Sequence, residues 1–144
     1  MLRGLSTIVY TAEDVAEAVD WYARVLGAEP YFRRPEEGPP AYAEFRIGDY
    51  AHELGIMDRR YWPDAAVLDG PASGASVAYW AVDDVRAARQ RLLDLGAVAL
   101  EEVTVRGPGF VTASVRDPFG NVLGIMENQH YQEVLAQRPA GLRG

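Results

Sequence analysis

The 144 residues contain no cysteine, which excludes disulfides, thiolate metal sites and a cysteine nucleophile. Basic residues are in deficit: 14 Lys and Arg stand against 21 Asp and Glu, for a formal net charge of -7. Binding a nucleic-acid backbone relies on clustered Lys and Arg. The arginines here are scattered as Arg33 with Arg34, Arg59 with Arg60, and Arg86, Arg89 and Arg91. They read as solvated surface, and no nucleic-acid partner is expected. Long apolar runs are also missing, so neither a signal peptide nor a membrane span is expected and the default location is the cytoplasm. What is present is ordinary for a globular chain: 49% hydrophobic and 24% charged residues argue against disorder.

The stretch Asp117-Pro118-Phe119-Gly120-Asn121 followed by Val122 to Met126 orders the rest. Its first half is turn chemistry, since proline sets one backbone angle and Gly and Asn tolerate positive φ. Its second half is an apolar run suited to a buried strand. The sequence Leu-Gly-Ile-Met at its end has already occurred at Leu54 to Met57. Leu26-Gly27-Ala28 likewise returns as Leu95-Gly96-Ala97 at the same interval, and Asp14-Val15 returns as Asp84-Val85 with a slip of one residue. Such self-similarity predicts one unit written twice.

Taken in order, Leu5 to Tyr10 predicts a strand. Thr11 and Asp14 resemble a capping box before a helix whose apolar face is Val15, Val19, Tyr22 and Leu26, closed by Gly27. Ala28 to Arg34 reads as a strand, and Pro35 to Pro40 as a loop. Ala41 to Ile47 and Ala51 to Met57 read as a hairpin across Gly48-Asp49-Tyr50. Residues 58–76 form a linker, with a helical turn near Trp62. The second half predicts a strand at Val77 to Val82, then a helix capped by Asp83 and facing inward with Val85, Ala88, Leu92 and Leu95. Strands follow at Val98 to Val105, Phe110 to Val115 and Val122 to Met126. The fold class is α+β, as two βαβββ modules in tandem at 1–57 and 77–126, within one structural domain. In the 127–144 tail, His130, Tyr131, Val134 and Leu135 give a short amphipathic pattern, and the last residues from Pro139 are expected to fray.

The helix end Trp21-Tyr22 with Leu26-Gly27, the junction Val82-Asp83-Asp84-Val85 and the turn Asp117 to Asn121 together resemble the vicinal oxygen chelate superfamily. That superfamily includes glyoxalase I, extradiol dioxygenases and bleomycin-resistance proteins. The resemblance runs from Leu5 to about Met126. It implies sheets curled around a shared cleft, a homodimer, and a divalent metal held from the first and last strand of each module. Carried onto this chain, those four places are Thr7, Gly55, Val77 and Gly124. Divalent metals take imidazole nitrogens and carboxylate oxygens, so no metal and no cofactor is expected. His52, Glu53 and Glu127 lie nearby, but at non-equivalent places.

Strand alternation extends those positions into a wall. Thr7, Val9 and Thr11 share one face, as do Glu53, Gly55 and Met57, Val77, Tyr79 and Ala81, and Val122, Gly124 and Met126. Ile8, Tyr10, Leu54, Ile56, Trp80, Val82, Leu123 and Ile125 then point beneath the helices. The expected ligand contacts are these wall residues, Ala81 excepted, with Tyr61 and Trp62 as a lid or an inter-module staple. Apolar walls with a few polar groups suit small molecules, and the two glycines are expected to leave room for a ligand. Glu53 is either a pocket carboxylate or solvated at a sheet edge, and His52 reads as exposed or satisfied. Two functions follow. One is a metal-independent protein that sequesters an apolar or aromatic compound, such as an antibiotic. The other is a glyoxalase-like isomerase, lyase or dioxygenase-related enzyme with a degenerate or relocated metal site, or a metal-free enzyme using Glu53 as general base. A third, weaker reading is a protein-interaction domain.

Overall fold

The computed structural model describes residues 5–61 and 76–139. Two compact units carry these residues, the first holding 5–61 and the second 76–139. In the first, β1 (Thr7–Ala12), α1 (Val15–Leu26), β2 (Phe32–Arg34), β3 (Tyr42–Ile47) and β4 (His52–Asp58) are followed by a 3-10 turn at Arg59–Tyr61. In the second, β5 (Ala78–Ala81), α2 (Val85–Asp94), β6 (Val98–Gly107), β7 (Phe110–Arg116) and β8 (Val122–Asn128) lead into α3 (Gln129–Gln137). Each unit has one four-stranded mixed sheet, ordered β1-β4-β3-β2 and β5-β8-β7-β6. β1 runs parallel to β4, and β5 parallel to β8. The sequence repeat is therefore a repeat of topology.

One helix covers one face of each sheet. α1 packs on β4, β3 and β1, and α2 on β7, β8 and β6. Tyr10, Leu54 and Ile56 are buried beneath α1 together with Phe45, Val19 and Tyr22, while Leu123 and Ile125 are buried with Val85 and Val115 in the second unit. Full burial of such a side chain contributes about 1.5–3 kcal/mol. Ile8, Trp80 and Val82 are half-buried. The Tyr22 ring lies edge-on to Trp21 and stacks on Tyr10 at 5.8 Å between centroids.

Several boundaries differ from the sequence reading. Thr11 lies within β1, and the cap of α1 is Asp14, whose carboxylate accepts from the Glu17 N–H at 2.9 Å. Likewise Asp84, not Asp83, caps α2 by accepting from Ala87 at 2.9 Å. Glu127 reaches across from β8 to accept the Val85 N–H at 2.9 Å, so it serves the α2 N-terminus. The stretch from Ala28 forms a strand only at Phe32–Arg34; the Tyr31 N–H still bonds the Glu44 carbonyl at 2.9 Å, and Pro30 before it has no N–H to carry the ladder further. Arg89 is not a solvated arginine: its side chain is 14% exposed and bonds Glu102 at 2.6 Å. The expected turn near Trp62, the rest of the linker and the end of the tail beyond Pro139 lie outside the described residues.

At the end of β4, the buried Asp58 holds the Arg60 guanidinium at 2.6 Å and the Arg60 N–H at 2.9 Å. Hydrogen bonds from the Arg60 side chain, then from its backbone, hold this carboxyl below the ordinary aspartate range. A lowered folded value gives stability that is full above the unfolded aspartate range and is lost as pH falls through the folded value. Thermal melts of wild type and Asp58→Asn are therefore expected to differ most near neutrality and to converge in acid. A gap that persists unchanged in acid would show that the ion pair is not its origin.

Candidate functional site

The face of the first sheet turned away from α1 is organised in three cross-strand rows. Thr7 faces Glu53, which faces Arg46; Val9 faces Gly55, then Glu44, then Phe32; Thr11 faces Met57, then Tyr42, then Arg34. All six expected wall residues of this unit thus share one face. Thr7 is opposite Glu53, however, and Gly55 is opposite Val9. The two positions carried over as a ligand pair are therefore out of register by two residues.

Polar side chains on this face form two groups. Glu53 accepts from the Thr7 hydroxyl at 2.8 Å and pairs with Arg46 at 2.9 Å. Arg46 also lies 4.9 Å over the Tyr31 ring. In the second group the Tyr42 hydroxyl donates to Glu44 at 2.6 Å. Burial, then the Glu53 carboxylate, pushes the Glu44 carboxyl up, with Arg46 opposing. Burial and Glu53 also raise the Tyr42 phenol. The Phe32 ring meets Tyr42 edge-on at 6.2 Å, and the Arg34 guanidinium lies 5.3 Å over Phe32.

On the equivalent face of the second sheet, Tyr79 faces Gly124, then Ser114, then Glu101; Ala81 faces Met126, then Thr112, then Thr104. Val122 shares this face opposite Arg116, and Val77 stands one residue before β5. Ser114 and Thr112 are buried. The Thr112 hydroxyl accepts from Arg106 at 3.0 Å, and Arg106 pairs with Glu101.

The two glycines do not leave open room. A Cβ at Gly55 would stand 2.6 Å from the Tyr42 hydroxyl oxygen, and one at Gly124 would stand 2.7 Å from Cδ1 of Tyr79. Each glycine is a socket for a tyrosine ring. The ring comes from β3 in the first unit and from β5 in the second. Tyr79 is still 44% exposed, so its other side meets solvent. Of the remaining expected residues, Tyr61 is exposed in the 3-10 turn with the Arg60 guanidinium 5.7 Å over its ring. Trp62 lies outside the described residues. His52 is exposed and stacks on Tyr50 at 5.7 Å.

The sequence profile of the Glyoxalase/Bleomycin resistance protein/Dioxygenase superfamily matches residues 4–125. The chain belongs to that superfamily. Solved structures of low identity share the fold. TioX from Micromonospora sp. ML1 is 19% identical with a TM-score of 0.65, over 87% of this chain and 98% of that one. A glyoxalase-related enzyme from Fulvimarina pelagi is 18% identical with a TM-score of 0.64, over 87% and 88% of the two chains. Lactoylglutathione lyase from Agrobacterium tumefaciens is 20% identical with a TM-score of 0.63, over 91% and 98%. No protein of curated function matches the sequence.

Superfamily membership raises the question of a metal, and the residues present do not fit one. The four carried-over places offer a single hydroxyl, on Thr7. Replacing either glycine with a ligating residue would drive its Cβ into a tyrosine. Among the described residues no three or more His, Asp or Glu gather in a way that could hold a metal ion. Glu127, the nearest carboxylate beyond Gly124, is engaged at the α2 N-terminus. Glu53 is tied by Arg46 and Thr7.

Sequence reasoning missed Phe32, Arg34, Tyr42, Glu44 and Arg46 in the first unit, and Thr112, Ser114 and Arg106 in the second. The signal was available for β3, where Tyr42, Glu44 and Arg46 alternate with Ala43, Phe45 and Ile47.

Proposed function

We propose that this chain is a metal-independent small-molecule-binding protein of the bleomycin-resistance type, which sequesters an apolar or aromatic compound such as an antibiotic. The observation that carries the reading is the pair of filled glycine sockets, which puts phenol rings where ligating side chains would project. Val9 and Met57 in the first unit, and Val122 and Met126 in the second, each give their own sheet face an apolar lining with a few polar groups between, which is the composition of a small-molecule wall. In this reading the protein works in the cytoplasm as a homodimer and confers antibiotic resistance by holding the compound unchanged. Neither nucleic acid nor membrane takes part; among the described residues no helix is long and apolar enough to cross a bilayer.

The test combines elemental analysis with a thermal-shift screen of bleomycin and planar aromatic antibiotics. A true ligand present at 100 times its Kd adds about 2.7 kcal/mol to stability. A clear rise in melting temperature is therefore expected, with the compound recovered intact by mass spectrometry. Stoichiometric zinc, nickel, manganese or iron in the purified protein, or conversion of the compound, would sink this reading.

A second reading, a metal-free enzyme, is favoured by one observation. Glu44 is a half-buried carboxyl raised by its surroundings and bonded to a phenol, which is the environment of a general base. It suits that role better than Glu53, whose two partners hold its oxygens. In this reading Glu44→Gln abolishes turnover and leaves binding in place.

A further inference from the structure

Charges on the open face of the first sheet are unevenly matched. Arg46 is taken by Glu53 at 2.9 Å and by the Tyr31 ring. Arg34 lies over Phe32. Among the described residues no cation comes within ion-pair distance of Glu44, whose carboxylate has the neutral Tyr42 hydroxyl as its one hydrogen-bond partner. Its cross-strand neighbours are Phe32 on one side and Gly55 on the other, with Val9 beyond the glycine. The Glu44 carboxylate thus has no ion pair of its own, Arg46 acting on it only at longer range, and it stands beside the Phe32 and Tyr42 side chains.

We infer that Glu44 is the anchor for an organic monocation, an ammonium or amidinium group carried on an aromatic or apolar body. The inference rests on the small-molecule-binding reading and names the class of its ligand. Tyr42 holds Oε2 of Glu44 and orients the carboxylate. An incoming N–H donor forms a charge-assisted bond to it, and the neighbouring Tyr42 ring adds attraction to the cation. The state of Glu44 agrees. Burial and Glu53 disfavour its charged form, with Arg46 opposing them, and a bound cation favours that form. A divalent metal does not suit the place, since one carboxylate and one phenol make too few ligands.

Benzamidine tests this against benzamide, a neutral molecule of nearly the same shape. Both are titrated at low salt into protein labelled with nitrogen-15, following the backbone amides of β3 and β4. Benzamidine is expected to bind at least about tenfold more tightly, with the largest shifts at Glu44 and Gly55. Glu44→Gln is expected to erase the difference. Glu133→Gln, which removes an equal charge on α3, is expected to keep it. Glu44→Ala, a second removal of the carboxylate that tests the idea even if Glu44→Gln folds poorly, is expected to erase it as well.

Equal affinity for the two probes overturns the cation inference but leaves small-molecule binding standing. Discrimination that survives Glu44→Gln or Glu44→Ala, or is lost in Glu133→Gln, overturns it as well. Absence of any shift in β3 and β4 with either probe also overturns it, while the antibiotic screen decides the broader reading separately.

Discussion

Asp117→Ala is expected to lower the stability of the fold by about 3 kcal/mol, read as a fall in the urea midpoint with an unchanged slope. Asp117 is 2% exposed. Its Oδ1 accepts from the Phe119 N–H at 2.9 Å and the Asn121 N–H at 2.7 Å, and its Oδ2 from the Asn121 side-chain amide at 2.8 Å. The backbone closes the same turn, with Asp117 N–H donating to the Asn121 carbonyl at 2.8 Å and Gly120 N–H to the Asp117 carbonyl at 3.2 Å. Pro118 supplies a preset angle, and Gly120 takes φ +98, which L side chains rarely adopt. Alanine leaves three donors without their acceptor, and hydrogen bonds to a charged group contribute about 1.5–3 kcal/mol each before the turn relaxes toward water. Asp117→Asn separates this account from a general intolerance of change. Its carbonyl oxygen can replace Oδ1 and keep two of the three bonds, so about 1 kcal/mol is expected. If the asparagine variant is as damaged as the alanine variant, charge rather than acceptor geometry holds the turn.

That turn explains why so much of the fold was legible. Turn residues and buried strands are specified by local chemistry, and Asp117 to Asn121 writes its reversal in five consecutive residues. The repeats of Leu-Gly-Ala and Leu-Gly-Ile-Met were readable for a related reason. Gly27 and Gly96 both end helices at positive φ, and Leu54 and Leu123 both enter the core. Strand ends were less readable, because pairing rather than propensity decides them. β1 extends to Ala12 because β4 offers partners as far as Asp58. Leu5, apolar but 86% exposed, has no such partner.

The candidate site was legible on the strands that carry the repeat and illegible elsewhere. Alternation placed Thr7, Val9, Thr11, Glu53, Gly55 and Met57 on one face, and the register agrees. Extending the alternation to β3 would have added Tyr42, Glu44 and Arg46. What no pattern in the sequence reveals is that Tyr42, whose cross-strand partner is Met57, leans diagonally over Gly55. Diagonal neighbours two residues away are within reach of an aromatic side chain. Which diagonal the ring takes depends on packing, and so the glycine that read as open space is a filled socket.

Gly124→Ala is expected to cost about 2 kcal/mol, and to cost more than Gly55→Ala. At Gly124 the added carbon would lie 2.7 Å from Cδ1, 2.8 Å from Cε1 and 3.0 Å from Cγ of Tyr79. The last of these is the root of the ring. Spinning the ring about its own axis leaves Cγ where it is, so relief requires a new χ1 or a shift of β5 against β8. At Gly55 the close atoms are the Tyr42 hydroxyl at 2.6 Å, Cε2 at 2.8 Å and Cζ at 3.0 Å, all at the far end of the side chain. A modest swing clears them, at the cost of the bond to Glu44, and about 1 kcal/mol is expected. Tyr79→Ala alone should cost little, because the ring is 44% exposed. The double variant Tyr79→Ala with Gly124→Ala should then be more stable than Gly124→Ala by itself, a coupling that denaturant unfolding of all four proteins measures. The same geometry makes Gly124→Glu a poor route to a metal site, since its Cβ meets the ring before its carboxylate reaches solvent. A Gly124→Ala protein as stable as wild type would show that the ring yields freely, and would reopen position 124 to a ligating side chain.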